Sequence, residues 1–317
     1  VQIAQQISNK ITNRIINKQF RTMKKSIFFS AVFAILAFTS CNKENQKAQE
    51  VAKYITINGN IGAITRVATT GNSSTFEEGD KISVYAWTGT PNVVNSAAMV
   101  VNNTVNTLQN SKWVAEPMMK WLDMVVPHFF FSVYPTRAIT DFTADVVVVT
   151  PTDQTASDLL VAVNTGEQSA GLNATNNPVT LQFQHVMSRV DVKLSYRNEF
   201  PSTPAVTSVT TEATKTGTID YLTGIITPTG TATLFDLPMT KANEHFSSVI
   251  VPQSVQKITI TIDGKEYIYI HAQPIVLNSG KVQVVKLIVG RNRVELDQIT
   301  IGDWGNEQEI EGGEAVD

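Results

Sequence analysis

Between Arg189 and Tyr196 the chain reads R-V-D-V-K-L-S-Y, which sets Val190, Val192, Leu194 and Tyr196 on one face and Arg189, Asp191 and Lys193 on the other. That period belongs to a strand and not to a helix, and it predicts a sheet with one apolar and one wet face. The pattern recurs along the chain. Ile82, Val84 and Ala86 alternate with Lys81, Ser83 and Tyr85, and Leu181 and Phe183 alternate with glutamines. Ile258, Ile260 and Ile262 run into Asp263-Gly264, after which Tyr267 to Ile270 returns. Asp-Gly between two such runs predicts a tight hairpin. Phe129 to Tyr134, ended by Pro135, Val146 to Val149 and Asp158 to Ala162 read as further strands. Short ones are expected around Gly217 and Gly224, and a bulged one over Val282 to Val289, where the apolar phase shifts near Val284-Val285.

A first strand is predicted from Tyr54 to Thr65, with Ile55 and Ile57 on one face and a break at Asn58-Gly59-Asn60. Gly89 to Leu108 reads as a long loop or weak strands, and Trp113 to Val126 is open between helix and strand. Many short strands with turn signals between them predict an all-β chain built of β-sandwiches. About 275 residues after residue 40 favour two domains, and the change of pattern near Gln184 divides them into 54–184 and 185–317.

Upstream, Met23 to Cys41 reads M-K-K-S-I-F-F-S-A-V-F-A-I-L-A-F-T-S-C. Two lysines, an apolar run from Ile27 to Phe38 and small polar residues have the order of a secretory signal. The run falls short of the roughly 20 apolar residues that span a bilayer. Thr39-Ser40-Cys41 resembles the cleavage box of bacterial lipoproteins, with Phe38 where a leucine is usual. The resemblance implies removal of residues 23–40, acylation of Cys41 and anchorage in the outer membrane, with polar residues 41–53 as a tether. Residues 1–22 carry four basic residues and no acidic one, and read as an upstream extension outside the product.

Residues 1–40 hold six basic residues and no acid, so the remainder carries 19 basic and 28 acidic residues, a formal charge of −9. That sign excludes nucleic-acid binding as a main task. A single cysteine excludes an intrachain disulfide, so stability has to come from apolar burial, for which 42% hydrophobic residues suffice. No P-loop, dinucleotide fingerprint or nucleophile elbow occurs, and His128, His185, His245 and His271 lack ligand spacing. Asp141 and Asp145 are spaced like calcium ligands without the glycine and distal glutamate of a calcium loop. The reading is therefore of a non-enzymatic chain with no cofactor. Trp87, Trp113, Trp121 and Trp304 are candidates for core packing or for a sugar-stacking platform.

Several stretches taken in order resemble the fimbrillin family of type V pilus subunits from gut and oral Gram-negative anaerobes. They are the signal with Cys41, T-R-V-A-T-T and F-E-E-G-D-K-I-S-V-Y-A between Thr65 and Ala86, and D-L-L-V-A at Asp158. L-Q-F-Q-H-V-M-S-R-V-D-V-K-L at Leu181, V-I-V-P-Q at Val249 and I-T-I-G-D-W-G at Ile299 complete them. The resemblance implies two transthyretin-like β-sandwich domains, display at the cell surface and assembly with other fimbrial subunits. It also implies cleavage by an arginine-specific protease after the first strand, and head-to-tail filling of the vacated groove by a neighbour's strand. Carried onto this chain, the cut falls between Arg66 and Val67, and Ile299 to Trp304 with the tail after it is the candidate donor. The receptor is not legible. A lipid-anchored glycan-binding protein that never polymerises, or an uncut anchor or tip subunit, is the alternative.

Overall fold

The computed structural model describes residues 53–62, 75–94, 96–164 and 170–304. Cys41, Arg66 and Val67 lie outside the described residues, as do segments 1–22 and 23–40, all but the last residue of the 41–53 tether, and the tail after Trp304. Ala52–Asp317 form one unit. Among the described residues no helix is long and apolar enough to cross a membrane.

The first half contributes β1 (Ile57–Ile61), β2 (Lys81–Thr88), β3 (Met99–Gln109), β4 (Lys112–Glu116), β5 (His128–Tyr134), β6 (Asp145–Val148), β7 (Leu160–Asn164) and β8 (Val179–His185). A one-turn helix, α1 (Gln154–Ser157), precedes β7. The second half adds β9 (Ser188–Tyr196), β10 (Val206–Ala213), β11 (Thr216–Asp220), β12 (Ile225–Thr229), β13 (Thr233–Asp236) and β14 (Met239–Lys241). It closes with β15 (His245–Ile250), β16 (Ser254–Ile262), β17 (Lys265–Val276), β18 (Lys281–Val289) and β19 (Val294–Asp303).

The chain is an all-β sandwich protein. Seven strands form one sheet in the order β1-β8-β7-β5-β2-β3-β4, antiparallel except for the parallel pair β1 and β8. The others are β14-β15-β9-β18-β19, β13-β10-β16-β17 and the three-stranded β12-β11-β6. Thus β6, which precedes Gln184 in sequence, pairs with β11, which follows it.

β2 shows why the seven-stranded sheet is central. Ile82, Val84 and Ala86 join Phe130, Trp113 and Phe183 in a core on one face. Tyr85 and Trp87 join Phe131, Tyr221 and Val255 in a larger core on the other. The predicted half-buried strand is therefore buried on both faces. Its buried serine, Ser83, is satisfied: its hydroxyl accepts from the Arg137 amide at 3.1 Å and its carbonyl from the Ser132 hydroxyl at 2.8 Å.

The Asp263-Gly264 hairpin joins β16 and β17, with both residues at positive φ, +49° and +78°, as a two-residue turn matched to strand twist requires. The bulge expected near Val284-Val285 is not in β18, which pairs with β9 without a shift; the irregularity lies opposite Lys286 and Leu287, where Asp297 of β19 is the extra residue. The segment read as a loop or weak strands holds all but the last residue of the eleven-residue β3, and the ambiguous stretch from Trp113 is a strand end followed by an irregular loop. β9 has the predicted apolar face, but its polar face is wet only in part: Ser195 is exposed and Arg189 and Lys193 are half-buried. Asp191 is fully buried, its carboxylate bound by the Arg189 guanidinium at 3.0 Å and by the Ser247 hydroxyl. A carboxylate so placed requires those partners.

Candidate functional site: the slot of the first strand

The first strand lies in a slot that holds it from two sides. Upstream, Tyr54 bridges Lys120 in antiparallel fashion, the Ile55 amide donates to the Met119 carbonyl at 3.0 Å, and the Trp121 amide donates to the Lys53 carbonyl at 3.3 Å. Downstream, Ile57–Ile61 runs parallel to Val179–Phe183. There the Val179 amide donates to the Thr56 carbonyl at 2.8 Å and the Gly62 amide to the Phe183 carbonyl at 2.9 Å. Between the halves, the Asn177 side-chain oxygen accepts from the Thr56 amide at 2.9 Å. Ile55 and Ile57 are 2% and 6% exposed and pack into the core with Met119, Trp121, Val179 and Leu181.

The predicted break at Asn58-Gly59-Asn60 is not a break, because β1 runs through it. Gly59 serves a close approach instead: a β-carbon there would lie 2.9 Å from Trp113 Nε1 and 3.3 Å from the Phe183 ring. An isolated glycine inside a strand pattern is the sequence signal for such an approach. Phe76 closes the slot edge-on against Trp113, Phe183 and Tyr134, at 5.0, 5.1 and 5.5 Å between ring centroids. Beside β1 a cavity of about 820 Å³ opens between Asn58, Asn60, Phe76, Leu108 and Lys112.

Removing residues 53–62 would leave the amides of Val179 and Trp121 and the carbonyls of Met119 and Phe183 without partners, and would bare the apolar floor. Such an edge is a template for another strand.

At the far end of the slot, Ile61, Phe76, Tyr134, Asp158, His185 and Trp304 border a second cavity of about 340 Å³. Trp304 stacks on His185 at 4.3 Å and 11°, and the Arg189 guanidinium lies 5.8 Å from the indole centroid. His185 Nδ1 is 2.8 Å from the Asp158 carboxylate. Burial, then the Asp80 carboxylate that accepts from the Tyr134 hydroxyl at 3.2 Å, push that hydroxyl's pKa up to about 12.

Other sequence candidates have structural work. Trp87, Trp113 and Trp121 are buried. Asp141 accepts from the amides of Thr143 and Ala144 in a local turn, while Asp145 binds Arg137 and the Tyr221 hydroxyl. Among the described residues no three His, Cys, Asp or Glu side chains are grouped as metal ligands would be.

The fimbrillin-like family profile matches residues 65–304, three quarters of the chain. The chain belongs to the fimbrillin-like family. This fimbrillin-like chain is similar in fold to a protein assigned to cell adhesion from Bacteroides uniformis, with a TM-score of 0.61 and 19% identity over 80% of this chain and 97% of that one. A second, from Bacteroides ovatus, gives a TM-score of 0.62 and 16% identity over 80% and 98%. At such identities the likeness establishes the fold. No curated protein matches the chain. Membership places this chain in a family of fimbrial subunits.

Proposed function

We propose that this fimbrillin-like chain is a structural and adhesive fimbrial subunit, exported as a lipoprotein on Cys41, cut between Arg66 and Val67, and polymerised by exchange of its first strand for a neighbour's. One observation carries the reading. The first strand is buried by its isoleucines and paired at both ends, yet it is an edge strand, and Arg66 follows its last residue by five positions. A cut there separates an edge strand from the sheet with a single break in the chain, and the emptied slot regains its hydrogen bonds only from another strand. A head-to-tail contact of this kind does not close on itself, so it grows a filament.

Ile299-Thr300-Ile301 repeats Ile55-Thr56-Ile57. It also sits on β19, an edge strand with Ile301 exposed, which supports Ile299 to Trp304 as the donor. The reading includes two sandwich domains divided near Gln184, with β6 crossing to the second, and anchorage of the precursor at the outer membrane.

The test is the intact mass and N-terminal sequence of protein recovered from the cell surface, beside an Arg66→Ala variant. A chain beginning at Val67, with no filaments in the variant, is the expected result. A chain beginning at acylated Cys41 with nothing shorter present would overturn strand exchange and leave an anchor subunit or a non-polymerising glycan-binding lipoprotein.

A further inference from the structure

We propose that the loop between Pro117 and Pro127 is a membrane-seating surface, laid on the lipid bilayer while the precursor is still anchored. The inference rests on the reading that Cys41 carries the lipid. The backbone of Met119 to Trp121 in this loop also holds the upstream half of the first strand; the proposal concerns the side chains that the loop turns outward.

The loop is built inside out. Met119 and Trp121 point into the core, whereas Met118, Leu122, Met124 and Val125 are 64%, 65%, 42% and 74% exposed. Four large apolar side chains are exposed between positions 118 and 125 of one loop, in sequence among Glu116, Lys120 and Asp123, and such a concentration of exposed apolar groups marks an interaction surface.

Nor is the loop slack. The Leu122 amide donates to His128 Nε2 at 3.1 Å, His128 Nδ1 donates to the Val126 carbonyl at 2.8 Å, and the Ala174 amide donates to the Met124 carbonyl at 3.3 Å. The Asp123 carboxylate accepts from the Val125 amide at 2.8 Å. The loop backbone is thus fixed before anything binds, so little backbone ordering opposes contact.

A lipid surface is the occupant because of where the chain leads. The described chain starts at Lys53, whose carbonyl accepts from Trp121 inside this loop. Eleven residues, 42–52, separate Lys53 from Cys41, a reach of at most about 40 Å when fully extended. An acylated Cys41 therefore keeps the loop within that distance of the bilayer, and its contact with lipid becomes an intramolecular event at high effective concentration.

Charge agrees with this orientation. The chain beyond residue 40 carries −9 and is repelled by an anionic leaflet. Here exposed Lys53 and Lys120 offset Glu116 and Asp123, with the Lys120 ammonium 5.8 Å over the Tyr54 ring. The loop is a locally neutral, apolar face, and its contact rests on burying side chains, which pairs with acyl chains as a second anchoring signal.

The experiment uses a chain beginning at Asn42, without lipid, mixed with vesicles of phosphatidylethanolamine and phosphatidylglycerol. Partitioning is read by co-sedimentation, and self-association by sedimentation velocity. The expected result is measurable binding that added salt does not abolish and that falls roughly tenfold or more in Leu122→Asp/Val125→Asp. Leu122→Ser/Val125→Ser serves if the aspartates impair folding, with unfolding midpoints as the control. No partitioning by the parent chain, or equal partitioning by the variants, would overturn the proposal. So would a variant that loses only self-association, which would make the loop an interface between copies. The mass of the Cys41 peptide from the native precursor reads the lipid anchor separately, so failure of the loop and failure of the anchor are distinguishable.

Discussion

Trp113 Nε1 stands 2.9 Å from the point that a β-carbon on Gly59 would occupy, and the Phe183 ring stands 3.3 Å from it. The indole and the glycine together set how deep the first strand lies in its slot. Gly59→Val should push the strand outward at a cost of about 1–3 kcal/mol, the usual range for overpacking. Urea unfolding of the uncut protein measures it. Adding Trp113→Leu makes room, so the double variant should recover part of the loss relative to Trp113→Leu alone. An additive result would mean that the contact does not set the strand's position.

His128 gives a pH prediction. It is fully buried, and burial lowers its pKa below the ordinary 6.5. Its Nε2 accepts from Leu122, so the ring is neutral when the loop is formed. The nearby Asp123 charge opposes the shift without cancelling it. The unfolded chain then takes up a proton in a window where the folded one does not, and stability declines as pH falls from 6.5 toward the lowered folded value. Trp121, edge-on to His128 at 5.0 Å, reports the change by fluorescence. His128→Asn should flatten this part of the profile, and an unchanged slope would show that another group is responsible.

Strand identity was legible wherever a short-range pattern carried it. Asp263-Gly264 and the valines of β9 announce themselves because turn chemistry and alternation are local. What was not legible depends on partners distant in sequence. Tyr85 looks like a residue on a polar face until Phe131 and Phe142 are brought against it, the former stacked at 4.5 Å. Asp191 looks solvated until Ser247, 56 positions later, covers it. The slot shows the same division. The isoleucines and Arg66 are visible in the sequence, but Asn177 and the Met119–Trp121 backbone that hold the strand are placed there only by tertiary pairing.

Tyr221 carries the last prediction, at the point where β6 meets β11. Its hydroxyl donates to Asp145 Oδ2 at 2.6 Å, the oxygen that Arg137 Nη2 also approaches at 3.0 Å, while Arg137 donates to the Val146 carbonyl at 2.7 Å. Its ring stacks on Phe131 at 5.7 Å, so one side chain ties β5, β6 and β11 together. Burial, reinforced by the acceptor carboxylate, holds the hydroxyl far above the ordinary tyrosine pKa, so it stays a neutral donor at any physiological pH. Tyr221→Phe keeps the stack and removes only the hydrogen bond to a charged acceptor, which should destabilise the chain by about 1.5–3 kcal/mol. Asp145→Asn should cost less, because the amide oxygen still accepts from Tyr221 while the pairing with the partly exposed Arg137 is weakened. In the double variant the two losses should fall short of their sum, since both act on one bond. A Tyr221→Phe protein as stable as the parent would show that the stack alone joins the strands.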